Sequence, residues 1–181
     1  MALLGLGPMS AYDIKKAMST SVNFFWTAAH SQVYQQARRL VRDGYAEEAG
    51  PGNARGRRTL SLSAAGREAL DAWLRSPAPL VRSYDEATAK LFFGDQSDLA
   101  SLIAMLEDQA GQHSQLLGSY LGMAMALSGW DPGGIPPYPL LTLQLGIKVE
   151  QAFMEWLADT LAVLRKAAVA RAQATAREAG Q

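Results

Sequence analysis

Apolar residues recur along this chain at helical spacing almost throughout, and at strand spacing in one short region. Val33, Ala37, Leu40 and Val41 fall at i, i+4, i+7 and i+8, the repeat of a helix that buries one stripe, here over residues 28–44. Upstream, Ser10 follows a proline and has Asp13 three positions on, a capping-box pattern that opens a helix over residues 10–19. Its inner face takes Ile14, Ala17, Met18 and part of Tyr12, while Lys15 and Lys16 point outward. Residues 1–6 are apolar and end at Gly7-Pro8, so they predict one or two turns packed on the residues after them, with the chain beginning inside that first helix. The strand-like runs are residues 45–49 and 58–62, and the Gly- and Pro-bearing stretch between them predicts a hairpin. Ser63 then caps a helix to Arg75 whose buried face is Ala65, Ala69, Leu70, Trp73 and Leu74.

Pro77 and Pro79 stop that helix and mark a domain boundary, dividing the chain into residues 1–76 and 77–181. The second part reads as all helix: residues 85–93, a long stretch over 97–127, a loop rich in glycine and proline, and a last helix over about 140–174. The Ala-rich end is expected to fray after about residue 168. Leu99, Leu102, Ile103 and Leu106 start the stripe of the first long helix, and Leu141, Leu145, Val149, Phe153 and Leu157 that of the second. Two helices this long cannot bury both faces against each other and one small domain, so a second copy of the chain is the expected cover. The fold class is therefore mainly α with a small β-hairpin: a winged helix-turn-helix domain followed by a helical dimerisation domain.

Charge changes the picture. The net charge is zero, but residues 1–75 carry 10 Lys/Arg against 6 Asp/Glu, and residues 76–181 carry 7 against 11. A basic part that meets a polyanion and an acidic part with another task fit this division. The free face of the helix over residues 28–44 carries Ser31, Gln32, Tyr34, Gln35, Gln36, Arg38, Arg39 and Arg42, with no acid before Asp43. Donors without carboxylates suit DNA, which makes this the expected recognition helix. An ordinary amphipathic helix with a basic outer face has the same pattern in isolation. Arg55, Arg57 and Arg58 lie at or beside the hairpin tip, where they fit either a wing on phosphate or a solvated loop. Phe24-Phe25-Trp26 fit core packing or base stacking.

Other classes are excluded or disfavoured. The 181 residues contain no cysteine, so disulfides, thiolate metal sites and a thiol switch are ruled out. No apolar run reaches membrane-span length, and no basic leader precedes the apolar start, so a cytoplasmic protein without a membrane partner is expected. His30 and His113 stand alone, no Ser/His/Asp set or metal-ligand cluster is visible, and Glu47-Glu48 read as a solvated pair on a strand. Neither catalysis nor a metal nor a cofactor is expected.

The order of parts resembles the PadR-like family of bacterial transcriptional regulators, in the branch whose longer C-terminal domain is akin to that of virulence activators. The resemblance runs to about Leu164. It rests on Gly7-Pro8-Met9-Ser10-Ala11-Tyr12-Asp13-Ile14-Lys15-Lys16, Phe25-Trp26, His30-Ser31-Gln32-Val33-Tyr34, Arg38-Arg39-Leu40, Gly44-Tyr45, Gly56-Arg57-Arg58 and Leu62-Ser63-Ala64-Ala65-Gly66-Arg67. Lys90-Leu91-Phe92-Phe93-Gly94 and Pro137-Tyr138-Pro139-Leu140-Leu141 continue it. The chain departs from the family pattern at Gln35, where a proline is usual, at Ala11, usually glycine, and at Ala29, where a capping serine is common.

The resemblance implies a winged helix-turn-helix that binds double-stranded operator DNA as a homodimer joined through the C-terminal helices. Tyr34 stands where the family has a tyrosine that reaches the DNA backbone. Ser31, Gln32, Gln35 and Arg38 or Arg39 are then expected in the major groove, and Lys15, Tyr34, Arg57 and Arg58 on phosphates, with Arg55 beside them. Regulators of this kind often answer to a small-molecule effector, for which Trp130, Tyr138, Phe153 and Trp156 are candidate lining. At helical spacing, Phe153 and Trp156 equally suit a dimer core. A winged module that binds an acidic protein partner instead of DNA is the rival reading.

Overall fold

A computed structural model describes residues 1–19, 30–49, 58–80, 85–129, 133 and 137–179. The chain forms two compact units, Met1–Val81 and Arg82–Gln181. The first contains α1 (Ala2–Gly5), β1 (Met9–Ser10), α2 (Ala11–Ala17), α3 (His30–Arg42), β2 (Ala46–Ala49), β3 (Thr59–Leu62) and α4 (Ala64–Arg75). The second contains α5 (Glu86–Phe92), a 3-10 turn (Gly94–Gln96), α6 (Leu99–Leu127) and α7 (Tyr138–Ala179). Phe24, Phe25 and Trp26 lie outside the described residues.

The expected hairpin is part of a three-stranded antiparallel sheet in the order β1-β3-β2. Met9 pairs with Leu60 and Ser10 with Thr59, an extra strand too short for alternation to reveal. Ser10 ends β1 and also caps α2. Its Oγ accepts from the Asp13 amide at 3.2 Å, and the Asp13 carboxylate accepts from the Ser10 amide at 3.2 Å, so the capping box is complete. Lys15, expected to point outward, is half-buried, and Lys16 is exposed.

The apolar stripe of α3 meets the inner face of the hairpin. Ala37, Ala46, Leu60 and Leu62 are buried together with Leu4, and Ile14, Leu40, Val41 and Leu70 pack around them. Gly44 ends α3 with φ +76°, a conformation without steric penalty only for glycine. The Tyr45 amide then donates to the Leu40 carbonyl at 2.8 Å and the Gly44 amide to that of Val41 at 3.1 Å, a Schellman closure that turns the chain directly into β2.

The capping serine of α4 is also the joint between that helix and this turn. Ser63 Oγ accepts from the Gly66 amide at 3.0 Å and donates to the Gly44 carbonyl at 2.6 Å. Its own amide donates to the Tyr45 carbonyl at 3.2 Å. The buried face of α4 differs from the expected one. Ala69 and Leu70 are half-buried, but Ala65, Trp73 and Leu74 are exposed, and the closest approach is made by Gly66. Ala65 and Leu74 lie on the flanks of the contact, and Trp73, on the same side as Leu70, extends past the core.

In the second unit, Asp85 and Asp98 cap α5 and α6 through their carboxylates. Helices α6 and α7 run antiparallel around Leu106, Leu157 and Leu161, with Leu91, Ile103, Met105, Trp156 and Leu164 packed on them. Arg165 reaches Glu107 at 2.6 Å on the rim of the same contact. The 42 residues of α7 make a helix roughly 63 Å long. It continues through the tail expected to fray, although residues 169–178 are all exposed. The high intrinsic helix propensity of Ala, Arg, Gln and Glu favours helix there without packing.

A Cβ added at Gly66 would stand 1.9 Å from the Tyr45 carbonyl oxygen. Gly66→Ala is therefore expected to lower stability by about 2 kcal/mol or more, against the usual gain from Ala in a helix. Urea or thermal unfolding measures this directly.

Candidate nucleic-acid interface

The exposed surface of α3 divides into two rows because residues three and four apart lie on one side of a helix. Gln32, Gln35 and Arg39 form one exposed row. Tyr34, Arg38 and Arg42 form the other, and this row faces the hairpin. Together with Glu48, Arg58 and Leu60 it lines a groove of about 480 Å³. The structure thus brings together Tyr34, Arg38 and Arg58 of the expected DNA-contacting residues and places Gln32, Gln35 and Arg39 beside them. Lys15 is on α2. Ser31 lies in α3, with its side chain outside the described residues, as are Arg55 and Arg57 altogether.

The position of Arg58 follows from strand alternation. Glu48 pairs with Leu60 and Ala46 with Leu62, so all four share a face, and Leu60, Leu62 and Ala46 are buried on it. Arg58, two residues before Leu60, falls on this inner face at its rim. There one guanidinium nitrogen bonds both Glu48 oxygens, at 2.7 and 2.8 Å. Glu48, expected to be solvated, is therefore ion-paired. The pair raises the Arg58 pKa, chiefly through the hydrogen bond. At the end of α3, Asp43 accepts from Arg42 at 2.8 Å and from Arg39 at 3.3 Å. The hydrogen bond from Arg42 is the main cause that holds its carboxyl below the usual range. Exposed pairs of this kind stabilise the fold little and serve mainly to orient side chains. Among the described residues, Arg38 makes no ion pair. Sequence reasoning missed Glu48 as a member of this site and named Arg42 only as a donor of the free face; the period-2 alternation of β2 and the i+4 step from Arg38 were the available signals.

Among the described effector candidates, Tyr138 lies apart from Phe153 and Trp156. Trp130 lies outside the described residues, and Tyr138 is exposed in the first turn of α7. Phe153 stands 15 residues further along, roughly 22 Å of helix. It stacks on His113 with ring centroids 4.5 Å apart and meets Trp156 edge-on at 6.3 Å. Trp156 packs on the Leu106 cluster, so both aromatics belong to the interior of the α6–α7 pair. His113, which stood alone in the sequence, is paired in the fold: its Nδ1 is 2.5 Å from Oε2 of Glu150, with only 18% and 10% of the two side chains exposed. Burial, then the charge of Glu150, pushes the Tyr120 hydroxyl up from its ordinary value. Among the described residues no three His, Asp or Glu side chains converge on a metal-sized site.

A three-stranded sheet with α3 against its hairpin, followed by a unit of long antiparallel helices, defines a winged-helix regulator. Residues 1–72 match the transcriptional regulator PadR-like family, and residues 85–165 match the virulence activator alpha C-terminal domain. Both units are thus similar to PadR-like transcriptional regulators. It is 28% identical to the negative transcriptional regulator PadR of Bacillus subtilis, over 91% of this chain and 96% of that protein. The structure of Bacillus subtilis PadR in complex with operator DNA superposes with a TM-score of 0.76 at 24% identity, covering 90% of this chain and 97% of that one. The Vibrio cholerae virulence activator AphA superposes with a TM-score of 0.76 at 25% identity, covering 91% and 95%.

The buried pair in α6 and α7 has a measurable consequence. Glu150→Ala leaves the His113 ring without its carboxylate in a largely enclosed position. The expected loss of stability is about 1–3 kcal/mol, seen as a lower thermal midpoint in calorimetry.

Proposed function

We propose that this regulator is a repressor that binds a pseudo-palindromic operator as a homodimer, with DNA contacts in the first unit and dimer contacts in the second. The observation that carries this reading is the double row of α3 beside the Arg58-bearing hairpin. Gln32, Gln35 and Arg39, joined by Ser31, form the row that reads base edges: glutamine pairs with adenine and arginine with guanine in the major groove. Lys15, Tyr34, Arg55, Arg57 and Arg58 hold phosphates and set the register. Two copies related by a two-fold axis require half-sites about 34 Å apart or a multiple of it. Gln35 stands where relatives have proline, and it is the position expected to set this chain's operator apart from theirs. The name of the Bacillus subtilis relative, a negative regulator, supports repression, and occlusion of a promoter is the simplest physical means.

The uncovered apolar surface of α6 and α7 supports the dimer. Tyr138, Leu141, Leu145 and Val149 follow one another at three- and four-residue steps along α7 and are exposed in the single chain, as are Leu116, Leu121 and Met125 on α6. Bacillus subtilis PadR has also been solved in complex with p-coumaric acid, which supports control of this chain by a small molecule. Of the described candidates, Phe153 and Trp156 lie inside the helix pair, and Tyr138 is exposed and open to such an effector. No described helix is long and apolar enough to cross a membrane, and action on DNA in the cytoplasm fits this.

A gel shift with random-sequence duplex at low salt tests DNA binding against the protein-partner alternative. Affinity is expected to fall steeply with salt, and Arg57→Ala with Arg58→Ala to flatten the log–log slope by about one to two units. A complex indifferent to salt would contradict the assignment. For the dimer, Leu141→Glu with Leu145→Glu is expected to give a helical monomer in sedimentation equilibrium, with weaker operator binding. A dimer unchanged by both charges would place the interface elsewhere.

A further inference from the structure

The groove between α3 and the hairpin contains a carboxylate where a phosphate-binding site would be expected to hold none. Three guanidiniums, those of Arg38, Arg42 and Arg58, line it with Tyr34, but Glu48 lines it too and takes Arg58 by both oxygens at 2.7 and 2.8 Å. The backbone explains how this arises. Register puts Glu48 opposite Leu60 on the inner face of the sheet, so its side chain is directed toward α3 rather than to the open side where Glu47 stands. Arg58 lies diagonally across the two strands from Glu48, within reach of a long side chain. Neither partner is enclosed: 76% of the Arg58 side chain and 46% of the Glu48 side chain are exposed.

We propose that this groove is the seat of a DNA backbone phosphate and that Glu48 occupies the arginine of that seat in the free protein, so that carboxylate and phosphate compete for Arg58. The inference rests on the DNA-binding reading and adds to it a residue that weakens binding. Both Glu48 oxygens converge on one guanidinium nitrogen of Arg58, and an oxygen of a phosphodiester can take their place there as a charge-assisted acceptor. Because the pair is exposed, breaking it carries little penalty. The carboxylate left behind nevertheless stays near the incoming phosphate and repels it. Asp43 acts on Arg42 in the same way from the end of α3, at 2.8 Å, and also holds Arg39 of the reading row more loosely, at 3.3 Å. Arg38 is left as the guanidinium of the groove with no ion pair among the described residues, and it makes the first phosphate contact. Part of the positive charge of the domain is thus neutralised internally, which lowers non-specific attraction to DNA and leaves the reading row of Gln32, Gln35 and Arg39 a larger share of the discrimination.

The test is a salt titration of binding to a random-sequence duplex by the full-length wild type, Glu48→Gln, Glu47→Gln, Arg58→Gln and the Glu48→Gln/Arg58→Gln double variant. Glu48→Gln is expected to bind about two- to tenfold more tightly at low salt and to steepen the log–log slope by about one unit, as one more cation becomes available to phosphate. Glu47→Gln makes the same change in net charge on the opposite face of the strand and is expected to show a clearly smaller effect. In the Arg58→Gln background most of the gain from Glu48→Gln should disappear, leaving only the relief of repulsion between carboxylate and phosphate. Equal effects of Glu47→Gln and Glu48→Gln, or a gain undiminished without Arg58, would overturn the competition and leave only bulk charge. A Glu48→Gln variant no tighter than wild type, while wild type binds, would overturn it too. A wild type that binds no duplex at any salt would overturn the DNA-binding reading itself.

Discussion

The contact between the apolar stripe of α3 and the inner face of the β2–β3 hairpin fixes the geometry of the first unit. Two alanines, Ala37 and Ala46, sit in that contact and are almost fully buried. Their small size lets helix and sheet approach closely, and the loss of water from Leu60 and Leu62 supplies the driving force, about 25 cal/mol for each Å² of apolar surface covered. Once the stripe is seated, the two exposed rows of α3 have fixed directions. One row faces the rim of the hairpin and the other faces away from it. The proposed division of labour between phosphate contact and base reading rests on that seating.

The turn after α3 and the cap of α4 transmit the same constraint. Gly44 in a left-handed conformation closes α3 and starts β2 with no intervening loop. Ser63 ties the end of β3 to that turn through the Gly44 carbonyl, and Gly66 lets α4 lie against the Tyr45 carbonyl. Helix α4 is therefore positioned by backbone contacts and by hydrogen bonds of a capping serine more than by side-chain packing. The apolar residues at its far end, Trp73 and Leu74, remain exposed.

The second unit obeys a different rule. Its interior is a seam between α6 and α7 with Leu91 of α5 packed on it, and a seam that narrow leaves the outer apolar stripe of α7 uncovered. Within the seam the half-buried His113 pairs with the buried Glu150, Tyr120 is buried as well, and Phe153 stacks on His113. Polar groups in that position fix the pairing of the helices, because a shift by one turn would separate His113 from Glu150 and leave both without a partner.

Much of this was readable from the residues alone. Helical periodicity located the long helices, the capping serines Ser10 and Ser63 located two of the helix starts, and the ordered motifs pointed to the family. These signals are local, since each needs only residues within a few positions of one another. What the sequence could not supply depends on residues far apart in the chain. The two-residue strand β1 exists because Leu60 is there to pair with it. The partner of His113 is 37 positions away, and Glu48 becomes part of the interface only when strand register turns it toward Arg58. Sequence by itself determined which helix carries the donors and which family the chain resembles. Tertiary structure decided which of those donors face the hairpin, and which carboxylates oppose them.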